Sequence, residues 1–246
     1  NTSEFSQAFS RADRDSDGIY DMWETQGWGI DVNSDTVIDL NLYALGARPD
    51  HKDIFVEVDG MVGLAPDLVT LGTVEQAFAD APDSLLHNPD AVGGINLFTF
   101  LSDVNITRTP WSSPQEALDS LHALKARYFG SPADRANSNK RFILEAKKLV
   151  FRYCLFADRF DAALHSGVSE YPNLPISEAR NDFLVTHGGW NPDGGTPLQQ
   201  AGTFMHELGH TLGLGHGGAD AIRYKPNYIS VMNYTWTTPT TGFASS

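Results

Sequence analysis

The sequence has a single cysteine, Cys154, in 246 residues, so no internal disulfide can brace the fold. Cys154 sits in the apolar stretch "RYCLFADRF", which reads as a strand, and a buried, inert thiol is expected there. No apolar run approaches the roughly 18 residues needed to cross a bilayer. The start, "NTSEFSQAFS", lacks both the basic residues and the apolar stretch of a signal peptide, and there is no initiator Met. A processed, secreted chain is expected, its export signal and any propeptide removed. Base is scarce as well: 17 Lys and Arg stand against 31 Asp and Glu, for a net charge of -14. Residues 1–60 are the most one-sided part, with 4 basic against 13 acidic side chains. This balance argues against nucleic acid and anionic membrane as partners, and clustered carboxylates either stay solvated or collect divalent cations. A monomer is expected. Hydrophobic content of 41% is ordinary and supports one sizeable catalytic domain or two small ones.

The acid is patterned. In "DRDSDGIYDMWE", Asp13, Asp15, Asp17, Gly18, Asp21 and Glu24 occupy positions 1, 3, 5, 6, 9 and 12 of a twelve-residue loop, the EF-hand calcium signature. Alternate side chains and the Ile19 carbonyl offer oxygens, glycine permits the sharp turn, and the twelfth residue closes the shell. Ser3, Phe5 and Phe9 suggest a short entering helix, while Gly27 and Gly29 leave little room for an exiting one. A weaker copy follows in "DVNSDTVIDLNL", with Asp31, Asn33, Asp35, the Val37 carbonyl and Asp39 at positions 1, 3, 5, 7 and 9. There Thr36 replaces the glycine and Leu42 the closing glutamate. The pair resembles the calcium repeats of dockerins or thrombospondin type 3 segments, which implies one structural Ca2+ and a candidate second. A solvated acidic surface is the competing reading of both loops.

Residues 1–48 are expected to form this calcium segment and 49–246 a catalytic domain. In the latter, "IFVEVDGM", "INLFTFL", "YCLFADRF" and "NDFLVTHG" read as strands. "PDLVTLGTVEQAFADAP", "SPQEALDSLHALKARYF" and "NKRFILEAKKLVF" read as helices, the last two joined by a polar loop, "GSPADRANS". The alternation predicts an α+β fold, a twisted mixed sheet packed on helices. The scattered histidines His51, His87, His122, His165 and His187 have no ligand spacing and read as surface or satisfied polar residues.

The remaining three histidines are different. Thr196 and Gln199 form a capping box around Pro197, the start of a helix on which Leu198, Ala201, Met205, Leu208 and Leu212 predict a buried face. His206 and His210, four apart, share a stripe and can reach one metal ion. Gly213 allows the helix to end in a left-handed turn that delivers His216. Three neutral nitrogens suit one catalytic zinc and leave a fourth position for water, whose proton Glu207 is placed to take.

"HELGHTLGLGH" matches the H-E-x-x-H-x-x-G-x-x-H signature of the metzincin zinc endopeptidases, which the chain therefore resembles. The resemblance implies a metzincin-like fold with a short C-terminal part, and in "SVMNY" a Met-turn at Met232 beneath the ligands. Tyr234 stands where astacins and serralysins carry a tyrosine that acts on the zinc or the oxyanion. The implied substrate is an extended protein or peptide, with "FLVTHGG" as the edge strand that pairs with it. Two features depart from the clan: Gly217 follows the third histidine, matching none of the astacins, serralysins, matrixins or adamalysins, and only 14 residues follow Met232. An inactive calcium-dependent adhesion module and a zinc hydrolase of a non-peptide amide are the rival functions.

Overall fold

A computed structural model describes residues 11–170 and 181–237; the expected entering helix at Ser3, Phe5 and Phe9 lies outside them. Along the described chain run α1 (Asp21–Glu24), α2 (Leu42–Leu45), β1 (Asp53–Gly60), α3 (Leu68–Ala79), α4 (Asp83–Leu86) and β2 (Asn96–Leu101). They are followed by α5 (Pro114–Tyr128), α6 (Pro132–Ala136), α7 (Lys140–Lys148), β3 (Phe151–Phe156), β4 (Gly167–Ser169), β5 (Phe183–Val185), α8 (Pro197–Thr211) and α9 (Tyr234–Thr237). The fold is α+β. The strands form one sheet in the order β2-β1-β3-β5-β4. Asn96 N donates to Lys52 O and Ser102 N to Val58 O, so both strands advance six residues together and β1 and β2 are parallel. β3 and β5 are parallel, with Cys154 opposite Phe183, and β4 joins β5 antiparallel. Among the described residues no helix is long and apolar enough to cross a membrane.

The chain divides into two compact units: Asn1–Phe55, Glu75–Phe98 and Ala133–Phe151 make one, and Val56–Val74, Thr99–Pro132 and Arg152–Ser246 the other. The first holds both acidic loops, and its core includes Ile19, Ile30, Leu42 and Phe55, whose ring lies 4.9 Å from that of Phe98 and 5.2 Å from that of Phe151. In the second, Phe204 of α8 packs on Phe183 of β5 and Phe156 of β3, with ring centroids 5.1 and 6.2 Å away. These apolar contacts fix α8 against the sheet; truncating one such buried ring to alanine typically costs about 3–5 kcal/mol. Cys154 is fully buried, and burial raises its thiol well above the usual range, as an inert core residue requires.

Four expectations need correction. "FLVTHGG" does not supply the edge strand: β5 lies between β3 and β4, and the three-residue β4 is the edge. An apolar Phe-Leu-Val run is what a strand covered on both sides requires, whereas Gly-Val-Ser suits a margin. The loop "GSPADRANS" contains a helix, α6. On α8, Leu198 and Leu212 are exposed at 56% and 39%, while Thr203 and Phe204 are buried with Ala201 and Leu208, so the buried face is rotated from the one expected. The "NKRFILEAKKLVF" helix ends at Lys148, in a last turn carrying Lys147 and Lys148, and Phe151 already belongs to β3.

Candidate metal centre

Helix α8 begins with the capping box: Thr196 Oγ1 accepts from Gln199 N at 3.3 Å, and Thr196 N donates to Gln199 Oε1 at 2.8 Å. Such a cap contributes about 1 kcal/mol and pins where the helix starts, hence where its histidines point. The helix ends with Gly213 at φ +90°, Gly213 N bonded to His210 O and Leu214 N to Gly209 O. This is a Schellman ending, in which a left-handed residue reverses the chain. The reversal leads into a tight turn closed by Gly215 N to Gly218 O and Gly218 N to Gly215 O, and His216 sits inside it.

Nitrogens of His206, His210 and His216 lie within 4.8 Å of one another. His206 Nδ1 donates to Val231 O and His210 Nδ1 to Leu214 O, each at 2.7 Å. With Nδ1 committed to a carbonyl, each ring keeps its lone pair on Nε2, and these two Nε2 atoms are 3.1 Å apart. Burial pushes His206 and His216 down to about 4 and lowers His210, so all three imidazoles are neutral near pH 7. Two neutral nitrogens this close, with no proton to share and a third beside them, are a donor set suited to zinc. Met232, 1% exposed, packs against Gly209 of α8, where an added Cβ would meet its sulfur.

Glu207, 4% exposed, lines the same cleft as the three histidines. Its carboxylate accepts a hydrogen bond from the Ser169 hydroxyl of β4, and burial outweighs that bond, pushing it up to about 8. A cleft of about 520 Å³ opens over the histidines, walled by Gly167–Ser169 on one side and by Ala219–Ala221 and Tyr234 on another. The Tyr234 ring stands 4.5 Å from that of His216 and 5.6 Å from that of His206. Ser169 and Gly167 escape sequence reasoning because a three-residue strand has no readable period. At Gly167 a Cβ would meet Glu207 Oε1 and Leu184 O, each at 2.6 Å. Gly167→Ala is therefore expected to displace the Glu207 carboxylate while leaving the three histidines in place; where a carboxylate takes part in a reaction, misplacing it by about 1 Å can cost ~10²-fold in rate. Assay of peptide hydrolysis beside zinc content checks this.

No family model matches the chain, and no curated protein matches it. Among solved structures it is similar to metalloproteinase-II from Bacteroides fragilis at 15% identity, with a TM-score of 0.44. The match covers 77% of this chain and 48% of that one, so the chain spans about half of that protein's length.

Three of the scattered histidines pair with carboxylates away from this cluster. His51 pairs with Asp90 at 3.0 Å, His122 with Glu170, and His165 with Asp161, while exposed α4 ends at His87 in a left-handed turn. His187 is buried and bonded to Thr203 Oγ1 at 2.9 Å, joining the end of β5 to α8, and burial pushes it down to about 4.

Both acidic loops share one backbone design. Asp13 accepts from Ser16 N and Gly18 N, and Asp31 accepts from Ser34 N and Thr36 N. Ser16, Gly18, Ser34 and Thr36 all have positive φ, so Thr36 adopts the turn that its counterpart leaves to glycine. Carboxylate oxygens of Asp13, Asp15 and Asp17 cluster within 4.8 Å, as do those of Asp17, Glu24 and Asp53. Burial pushes Asp15 up to about 6, Asp17 to about 7 and Glu24 to about 10, with neighbouring carboxylates adding to the rise. Asp21 stands apart, accepting from Arg14 N and Nε at 2.8 and 2.9 Å. Among the described residues the second loop forms no such carboxylate cluster, although Asp31, Asn33, Asp35 and Asp39 accept from the loop's N–H groups much as their counterparts do.

Proposed function

We propose that the chain is a secreted zinc-dependent endopeptidase of the metzincin kind, braced by calcium in its first acidic loop. The observation that carries this is the convergence of His206, His210 and His216 beside a buried carboxylate that is not itself part of their cluster. The three histidines hold one zinc ion. When bound, zinc supplies a Lewis acid for the scissile carbonyl and brings the pKa of a water from about 15.7 towards ~7.

The remaining chemistry belongs to side chains and backbone. Glu207 takes the proton of the attacking water and returns it to the leaving amine, a role suited to a carboxylate whose burial raises its proton affinity towards neutrality. Ser169 orients that carboxylate. β4, at the end of the sheet order, offers its free edge to an extended peptide by main-chain hydrogen bonds. Met232 acts as the apolar floor of the ligand set, the part a Met-turn has in the clan.

Tyr234, at the cleft wall against His216, donates to the oxyanion. Losing one such donor typically costs about 10²–10³ in rate, and other zinc peptidases manage without this phenol. Tyr234→Phe is thus expected to lower kcat about 10²-fold or less, with smaller change in KM and full zinc content; steady-state kinetics check it.

Incubation with denatured casein, with and without a chelator, tests the function. Cleavage that chelation stops and zinc restores supports an endopeptidase. Intact casein in the presence of zinc-loaded protein contradicts it and favours an adhesion module or a hydrolase of non-peptide amides.

A further inference from the structure

Glu24 is 0% exposed, and no N–H or hydroxyl donor reaches either of its carboxylate oxygens, which face the carboxyl group of Asp53. Asp15, 2% exposed, likewise has an unpartnered Oδ2. Buried carboxylate oxygens without donors are costly to keep, and a cation aimed at by several of them removes that cost. The twelve-residue pattern names Asp21 as the ninth-position contributor, yet Arg14 occupies its carboxylate. Another acid stands in the cluster. Asp53, the first residue of β1, lies 29 positions beyond Glu24 in sequence, is 2% exposed, and has an oxygen within 4.8 Å of those of Asp17 and Glu24.

Asp53 is held firmly. Asn96 Nδ2 donates to its Oδ1 and Arg48 N to its Oδ2, each at 2.8 Å, while its own N–H donates to Asp17 Oδ2 at 2.8 Å. Each carboxylate oxygen has a further lone pair to give. Lys52 directs its amine to the Asp15 carbonyl.

We propose that Asp53 is a ligand of a calcium ion held by the first acidic loop, contributing the carboxylate that Asp21 does not, so that the ion ties the loop to the first strand of the sheet. The inference rests on reading that loop as a calcium site. The donors are all carboxylate oxygens, brought together from a loop and a strand, which suits the six to eight ligands of Ca2+ better than the strict octahedron and retained waters of Mg2+. The sequence pattern alone does not reach Asp53, because it lies outside the loop.

Calorimetric titration with CaCl2 of the zinc-loaded, calcium-stripped chain carrying Asp31→Asn, which silences the second loop, tests the assignment. Asp53→Asn, which keeps the size of the side chain, is expected to weaken calcium binding by at least the roughly 10–100-fold that losing a mere supporting contact costs a metal site. Asp21→Asn is expected to leave the affinity within about twofold, and it serves as the deciding variant should Asp53→Asn not fold. A large loss with Asp21→Asn, or wild-type affinity with Asp53→Asn, overturns the role of Asp53 while leaving the loop a calcium site. No calcium uptake by the parent chain overturns both, and leaves Glu24 and Asp53 as an acid pair sharing a proton.

Discussion

Glu207→Ala is expected to keep its zinc and lose peptide hydrolysis by about 10²–10⁴-fold, the range that a positioned acid–base group contributes. Glu207 lies outside the cluster of His206, His210 and His216, so its removal takes away no ligand. Its carboxylate is buried against Gly167 and bonded by Ser169, with burial holding its proton affinity high, so truncation relieves a desolvated group instead of breaking an ion pair. The fold should survive. Glu207→Gln, which keeps the shape and the hydrogen bond to Ser169, is expected to be as inactive as Glu207→Ala, because an amide takes no proton. Hydrolysis at the parent rate in either variant, with zinc content unchanged, removes Glu207 from the mechanism.

His210→Ala should act on the metal itself. His210 is 8% exposed, its Nδ1 is tied to Leu214 O, and its Nε2 stands 3.1 Å from that of His206. Two histidines left on a helix and a turn offer zinc too few ligands for a stable site. Zinc measured on the purified chain is expected to fall from near one ion to a small fraction, with hydrolysis falling in parallel. The helix should persist, since the capping box and Phe204 lie turns away from residue 210. A full zinc complement in His210→Ala would mean that the ion binds elsewhere.

The metal helix was legible in sequence because its information is local. Four-residue spacing, a capping box with Pro at the first position, and a glycine after the last turn each act within a few residues of chain. The phase of the buried face was not: Leu198 and Met205 share the helical period with Ala201 and Leu208, and only the rings of Phe156 and Phe183 select Phe204 as the inward residue. Edge and interior strands were exchanged because β4 is three residues long, too short to carry a readable period, so the sequence shows no strand outside β5. Ser169 reaches Glu207 only through that pairing. At the acidic loops the sequence names Asp13, Asp15, Asp17 and Glu24 by position, but whether an oxygen faces the cluster depends on what else claims it. Arg14 claims Asp21, and Asp53, outside the twelve-residue pattern, enters the cluster only through the fold.

The central claim, an open three-histidine zinc site, is tested most directly by X-ray absorption at the zinc edge on the purified protein in solution. Three imidazole nitrogens at about 2.0–2.1 Å and one further light-atom ligand are expected, with no sulfur near ~2.3 Å. A shell of oxygens alone, a thiolate, or a fourth imidazole closing the site would contradict it.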